Sequence, residues 1–205
     1  MKLLAPAAVV LVLGGCAGFR AGPTALASCT DLGGTHIAAG LIGKPTSGAS
    51  VNSASLVAAD PSTQSPEYCK VLGAIAPVDS TAPPINFQVN LPTQWNNKAL
   101  HFGGGGFNGT LVAATAGSTH TAPAGTPIPT PLARGYVTFG SDGGHKGNAF
   151  DGSFALNDEA LRNYAGSSLR KPTMRSTRSL QNATEACQRS CTSLVDHKAA
   201  TKDFR

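Results

Sequence analysis

Four consecutive glycines, Gly103–Gly106, follow a short apolar run that ends in Phe102. Backbone without side chains lets successive N–H groups converge on an anion and approach it closely. Taken alone, the run reads more simply as a flexible turn. Asp142 and His145 stand three residues apart in Ser141-Asp142-Gly143-Gly144-His145, an acid and an imidazole that invite comparison with a proton relay. His36, His101 and His120 have no partner pattern and read as solvent-facing or core-edge residues. Cys187 and Cys191 form a Cys-x3-Cys pair with His197 beyond it. Three ligands at irregular spacing fall short of a structural zinc set, so neither a metal nor any other cofactor is expected.

The glycine run needs a sheet to hold it. Ile85, Phe87, Val89 and Leu91 alternate with Asn86, Gln88 and Asn90, the period of a half-buried strand. Pro92 ends that strand, Trp95-Asn96-Asn97 makes a turn, and Ala99–Phe102 is a second short strand leading into the glycines. Residues 113–131 are Thr, Ala, Gly and Pro, a long surface loop. Gly135–Phe139 has the near-continuous apolar character of a strand inside a parallel sheet. A helix starts at Asn157, a good N-cap, with Asp158 and Glu159 in its first turn and Leu161 and Tyr164 on one face. Residues 28–82 read as short strands and turns broken by Gly, Ser and Pro. There is no internal repeat. Strand, glycine loop, long connection, core strand and helix make the front half of an α/β sheet.

At 205 residues the chain can bury one sizeable core. With 24 Gly, 14 Pro and 13% charged residues, it is a loop-rich globular chain, not a coiled coil or a disordered acidic one. Residues 1–166 carry 8 Lys+Arg against 8 Asp+Glu, so the whole net charge of +5 sits in residues 167–205. A basic balance confined to a tail does not make the body a nucleic-acid binder, and no nucleic-acid partner is expected. At the start, Lys2, an apolar run from Leu3 to Leu13 and Gly14-Gly15-Cys16 have the layout of an export signal. Leu13-Gly14-Gly15-Cys16 resembles a bacterial lipobox, with Cys16 lipidated. The competing reading is cleavage after Ala27. Either makes residues 1–27 a signal and places the chain outside the cytoplasm, secreted or periplasmic, or anchored to the outer membrane through Cys16. There, Cys29 and Cys69 are most simply a disulfide, two buried thiols being the alternative.

Several stretches together resemble the tannase and feruloyl esterase family in order and spacing. They are Cys69–Gly73, Ile85-Asn86-Phe87 through Leu91–Asn96, Phe102–Phe107, Leu132–Tyr136, Ser141–His145 and Ser153–Asn157. The resemblance covers roughly residues 29–166. It implies an α/β-hydrolase fold, here its N-terminal portion without the lid domain. It also implies an exported serine esterase acting on small phenolic esters of gallate, ferulate or terephthalate type. Gly104, Gly105 and Gly106 would then donate to the oxyanion. In α/β-hydrolases the triad runs Ser, Asp, His, and the family's serine lies beyond the helix that begins near Asn157. Asp142 and His145 are therefore expected to fix the loop after the core strand and not to catalyse.

After Gly166 the sequence turns Ser-, Arg- and Lys-rich, with no apolar strand and no nucleophile elbow. Reading each codon one base earlier from Arg170 onward permits a helix, an apolar strand Tyr-Phe-Ile and the elbow Gly-Gly-Ser-Gln-Gly-Gly-His-Glu. One missing base near Gly166 would produce the tail as it stands. On this reading residues 28–166 are the start of an esterase domain, residues 167–205 are a frame-shifted tail, and no catalytic residue is present. The chain would then be inactive. The alternative is an exported lipoprotein that binds without catalysing.

Overall fold

The computed structural model describes residues 29–62, 64–116 and 128–171. Six strands form one mixed sheet: β1 (His36–Ile37), β2 (Gly48–Val57), β3 (Tyr68–Ala76), β4 (Ile85–Pro92), β5 (Ala99–Phe102) and β6 (Val137–Ser141). Their order across the sheet is β1-β2-β3-β4-β6-β5. Pairing is antiparallel from β1 to β4 and between β4 and β6, and parallel between β6 and β5. The helices are short: α1 (Ala39–Ile42) and α2 (Asp158–Arg162), the latter running through a widened turn at Asn163–Ser167 into Ser168–Arg170. No helix among the described residues is long and apolar enough to cross a membrane.

The core lies along the central strands, where Val51, Val71, Ile85, Phe87, Val89, Leu91, Val137 and Phe139 are buried. Cys29, in a single turn of 3₁₀-helix, is joined to Cys69 on β3 by a disulfide with Cα atoms 5.7 Å apart. The pairing expected from cysteine parity is present.

Four expectations about the strands and loops are corrected. Residues 28–82, read as short pieces, contain the two longest strands, β2 and β3, of ten and nine residues. Their Gly, Ala and Ser content hides them, because such residues have weak strand preference and are held here by neighbours on both sides. β4 is not half-buried: Gln88 and Asn90 are as enclosed as the apolar residues between them. Their amides are satisfied internally, Asn90 Nδ2 donating to Thr138 Oγ1 at 3.0 Å and to Ala113 O at 2.9 Å, and Gln88 Nε2 to Ala113 O at 3.0 Å. The 113–131 segment therefore does not simply run over the surface; its start caps the polar face of β4, with Ala114 buried. The core strand is Val137–Ser141 and has one antiparallel and one parallel neighbour, so its five buried positions come from enclosure by β4, β5 and the overlying loop.

Helix α2 starts where expected. Asn157 Oδ1 accepts from the amides of Glu159 (3.0 Å) and Ala160 (2.9 Å). Its inward face differs from the apolar pair expected: Leu161 is exposed, while Glu159, Ala160 and Asn163 are buried. The Glu159 carboxylate accepts from the amides of Val78 (3.1 Å) and Asp79 (2.7 Å). That ties the helix to the turn between β3 and β4.

Candidate oxyanion site

Strand β5 delivers the chain to Gly103 beside the carboxyl end of β6. There the backbone needs left-handed conformations, with φ of +57° at Gly106, +60° at Asn108 and +81° at Gly109. The loop is anchored on its far side. Phe107 N donates to Ala149 O at 2.9 Å, and Gly147 N to Gly109 O at 3.1 Å. Tyr164 Oη donates to Gly106 O at 3.3 Å. The amides of Gly104, Gly105 and Gly106 make no hydrogen bond among the described residues, and all three glycines are exposed. Three N–H groups on an anchored loop are thus left without a partner among the described residues.

They border a cleft of about 350 Å³, whose lining includes His101, Gly104, Gly106, Asn108, Ser141 and Tyr164. His101 stacks on Phe139 with ring centroids 4.6 Å apart. Burial pushes its pKa below the usual histidine value, which favours the neutral ring. A larger cleft of about 470 Å³ lies at the opposite ends of β5 and β6, between Pro66-Glu67 and Leu132–Gly135, away from the glycine loop.

Asp142 is not a free base. Its Oδ1 accepts from Asn86 N at 3.1 Å and Gly144 N at 2.9 Å, and its Oδ2 from Asn86 Nδ2 at 2.6 Å. Burial raises its pKa, and the Asn86 side chain and the Gly144 and Asn86 amides oppose that rise. The carboxylate fixes the turn after β6 to β4. His145 is almost wholly enclosed, its ring stacked at 3.8 Å on Phe154 and edge-on to Tyr164. Phe107 packs edge-on to both Phe154 and Tyr164, so an aromatic cluster backs the glycine loop. Asp142 is thus held by hydrogen bonds to Asn86 and Gly144, and His145 by ring contacts.

His36 is exposed. Cys16, His120, Cys187, Cys191 and His197 lie outside the described residues, as do the whole 1–27 signal and most of the 167–205 tail. Of that tail, Ser168 and Lys171 are seen and buried. Lys171 Nζ donates to Asn163 Oδ1 at 2.8 Å and pairs with Glu159 at 3.5 Å. Among the described residues no cluster of His, Cys, Asp or Glu could hold a metal. The sequence reading missed Asn108 and Tyr164, both against the glycine loop. For Asn108 a signal existed, since Asn-Gly marks a turn.

The glycine loop thus stands, anchored, at the carboxyl end of a parallel-paired strand in a mixed sheet. The sequence model described as "Tannase and feruloyl esterase" matches residues 69–192. The chain belongs to that family. It is 48% identical over 155 residues to an uncharacterised esterase of Agrobacterium fabrum, covering 75% of this chain and 28% of the relative. It is 38% identical over 99 residues to the mono(2-hydroxyethyl) terephthalate hydrolase of Piscinibacter sakaiensis, covering 47% of this chain and 16% of the relative. The chain thus spans under a third of either relative's length. Among solved structures, feruloyl esterase B from Aspergillus oryzae aligns with a TM-score of 0.41 and 22% identity, over 57% of this chain and 22% of that one. Tannin acyl hydrolase from Aspergillus niger aligns with a TM-score of 0.38 and 18% identity, over 73% and 28%. The family match continues to residue 192, past the change in composition at Gly166.

Proposed function

We propose that residues 28–166 supply the oxyanion-binding side of a serine carboxylesterase for small phenolic esters, with the Gly104, Gly105 and Gly106 amides as donors. The observation that carries this is the set of three unpaired, anchored amides at the end of β5. In such an enzyme a serine attacks the ester carbonyl and the carbonyl oxygen becomes an oxyanion. A histidine moves the proton, and water splits the acyl-enzyme. Donors held in place before reaction stabilise that oxyanion without reorganising, and each is worth about 10²–10³ in kcat. The substrate class is supported by the activity of the related terephthalate monoester hydrolase and by membership of the tannase and feruloyl esterase family.

The same proposal holds that serine, acid and base are not among these 205 residues. The sequence contains no Gly-x-Ser-x-Gly, and a frame change near Gly166 accounts for the abrupt basic composition that follows. A second reading, in which the stretch after Gly166 is native, is favoured by the family match to residue 192 and by the buried Lys171–Glu159 pair. Resequencing the DNA around the Gly166 codon separates the two. The full chain is expected to leave methyl gallate and methyl ferulate unhydrolysed, whereas the reading frame restored by one base and carried through its downstream codons is expected to cleave them. Turnover by the 205-residue chain overturns the absence of a nucleophile. No turnover by the restored and folded protein overturns the esterase reading in favour of a binding module. Export and a lipid on Cys16 belong to the same proposal, supported by the Leu13–Cys16 pattern.

A further inference from the structure

The glycine loop is pinned to the sheet by one side chain that its own motif supplies. Asn108 adopts φ +60°, a conformation that asparagine tolerates better than other residues bearing a Cβ. Its side chain then folds back over the loop and lies directly on Gly104, where a Cβ at position 104 would overlap Oδ1 and Cγ of Asn108. From there Nδ2 donates at 3.1 Å to the carbonyl of Ser141, the last residue of β6. The backbone amide of Asn108 closes the turn on Gly105 O at 3.0 Å. One residue therefore joins the loop after β5 to the end of its neighbour β6.

We propose that Asn108 is the positioning residue of the oxyanion loop, and that position 104 must be glycine because the Asn108 carboxamide fills the space a side chain would need. The inference rests on the oxyanion reading for its purpose and on geometry alone for its mechanism. Rigid placement matters because a hydrogen-bond donor acts on a transition state only where it is already aimed. Losing the Nδ2–Ser141 bond would let the Gly104–Gly106 amides sample many directions while the sheet stays intact.

The test uses the full ¹⁵N-labelled chain and needs no turnover. Wild-type Gly104–Gly106 amides are expected to show backbone order parameters near ~0.85. Asn108→Gly, which permits the same φ, is expected to drop them below ~0.6 while the amides of Val71 and Val89 keep their shifts. Asn108→Asp keeps the shape but lacks the donor, and is expected to loosen the loop equally. Should the glycine variant fail to fold, this isosteric change carries the test. Gly104→Ala is expected to disturb the Asn108 side-chain signals and lower the urea midpoint, and adding Asn108→Gly to restore part of that midpoint. Wild-type order parameters in folded Asn108→Gly or Asn108→Asp would overturn the assignment. In the restored esterase, Asn108→Asp is expected to lower kcat at least about tenfold with KM within about twofold. A loosened loop with unchanged kcat would count against the oxyanion role and leave the clamp standing; an unmoved loop would do the reverse.

Discussion

Removing the Cys29–Cys69 disulfide gives the most direct measure of what holds the front of the fold. The bond closes a loop of 40 residues. Loop-closure entropy for that length gives about 4 kcal/mol at 25 °C. Cys69 lies in β3 between β2 and β4, and Cys29 sits in the 3₁₀ turn packed against β2. Both ends are thus tied to ordered structure, so the native state does not relax to recover the loss. For a folded unit of this size the cost corresponds to a fall in Tm of about 10–15 °C. Cys29→Ser, Cys69→Ser and the double variant should be compared in thermal and urea unfolding of the full chain, with the oxidised wild type as reference. All three are expected to lose about 3–4 kcal/mol, with Cys69→Ser at the larger end because Cys69 is the more buried partner. Reductant should lower the wild type to the level of the double variant and leave the variants unmoved. A loss under 1 kcal/mol in every variant would refute the view that the 3₁₀ turn and β3 form one unit through this bond.

Asn157→Ala should cost about 1 kcal/mol or somewhat more, read from urea midpoints. It removes the cap of α2 and also the bonds from Asn157 Nδ2 to Asp79 and Thr81. Glu159→Gln should cost about 3 kcal/mol, because it leaves the Lys171 ammonium buried with an uncharged partner and weakens the hold on Val78 and Asp79; no change would mean that the pair does not form. His101 has a lowered pKa from burial, so the unfolded chain binds more protons just below the ordinary value of 6.5. Its contribution to stability is therefore complete above that value and is lost as pH falls from it toward the lowered pKa. His101→Phe should flatten the loss between pH 7 and 5 in pH-scanned unfolding; an unchanged slope would assign it elsewhere. Intact-mass analysis of the chain expressed in a bacterium with lipoprotein processing should find diacylglycerol on Cys16, and Cys16→Ala should abolish it; cleavage after Ala27 would select the other signal.

What was legible in the sequence was whatever local pattern dictates. Alternation over Ile85–Leu91 placed β4, Pro92 closed it, and Ala99–Phe102 is β5 to the residue. Asn157 announced its cap because the N-cap needs only a short acceptor before an acidic first turn. What stayed hidden depends on partners distant in sequence. Strand β2 keeps its register through nine pairs with β3 and a bulge at Asn52, not through its own Gly, Ala and Ser residues. Gln88 and Asn90 look like a solvent face until Ala113, Ala114 and Thr138 close over them. The site divides the same way: the glycines are visible as a run, but what aims them is Asn108, Tyr164 and the aromatic cluster, brought together from three separate segments.

The boundary at Gly166 shows how composition and packing answer different questions. Composition changes there because eight basic residues meet only three acids beyond it. Packing does not change there: Gly166 has φ +143° with open space around it, and the chain beyond returns to helix and buries Ser168 and Lys171. Lys171 is accommodated by Glu159, whose carboxylate is already committed to the turn between β3 and β4. Any residue reaching position 171 meets that same carboxylate, so an apolar or acidic side chain would leave Glu159 paired only with two amides or facing a like charge. Read one base earlier, the codon there ends in AA and encodes Glu, Gln or Lys and never Ala; the glutamate of that frame would set a second carboxylate against Glu159. The stability difference between Lys171→Glu and wild type therefore reports on which frame the helix and hairpin were shaped to accept. A loss of several kcal/mol points to the sequence as it stands, and no loss or a gain to the restored frame.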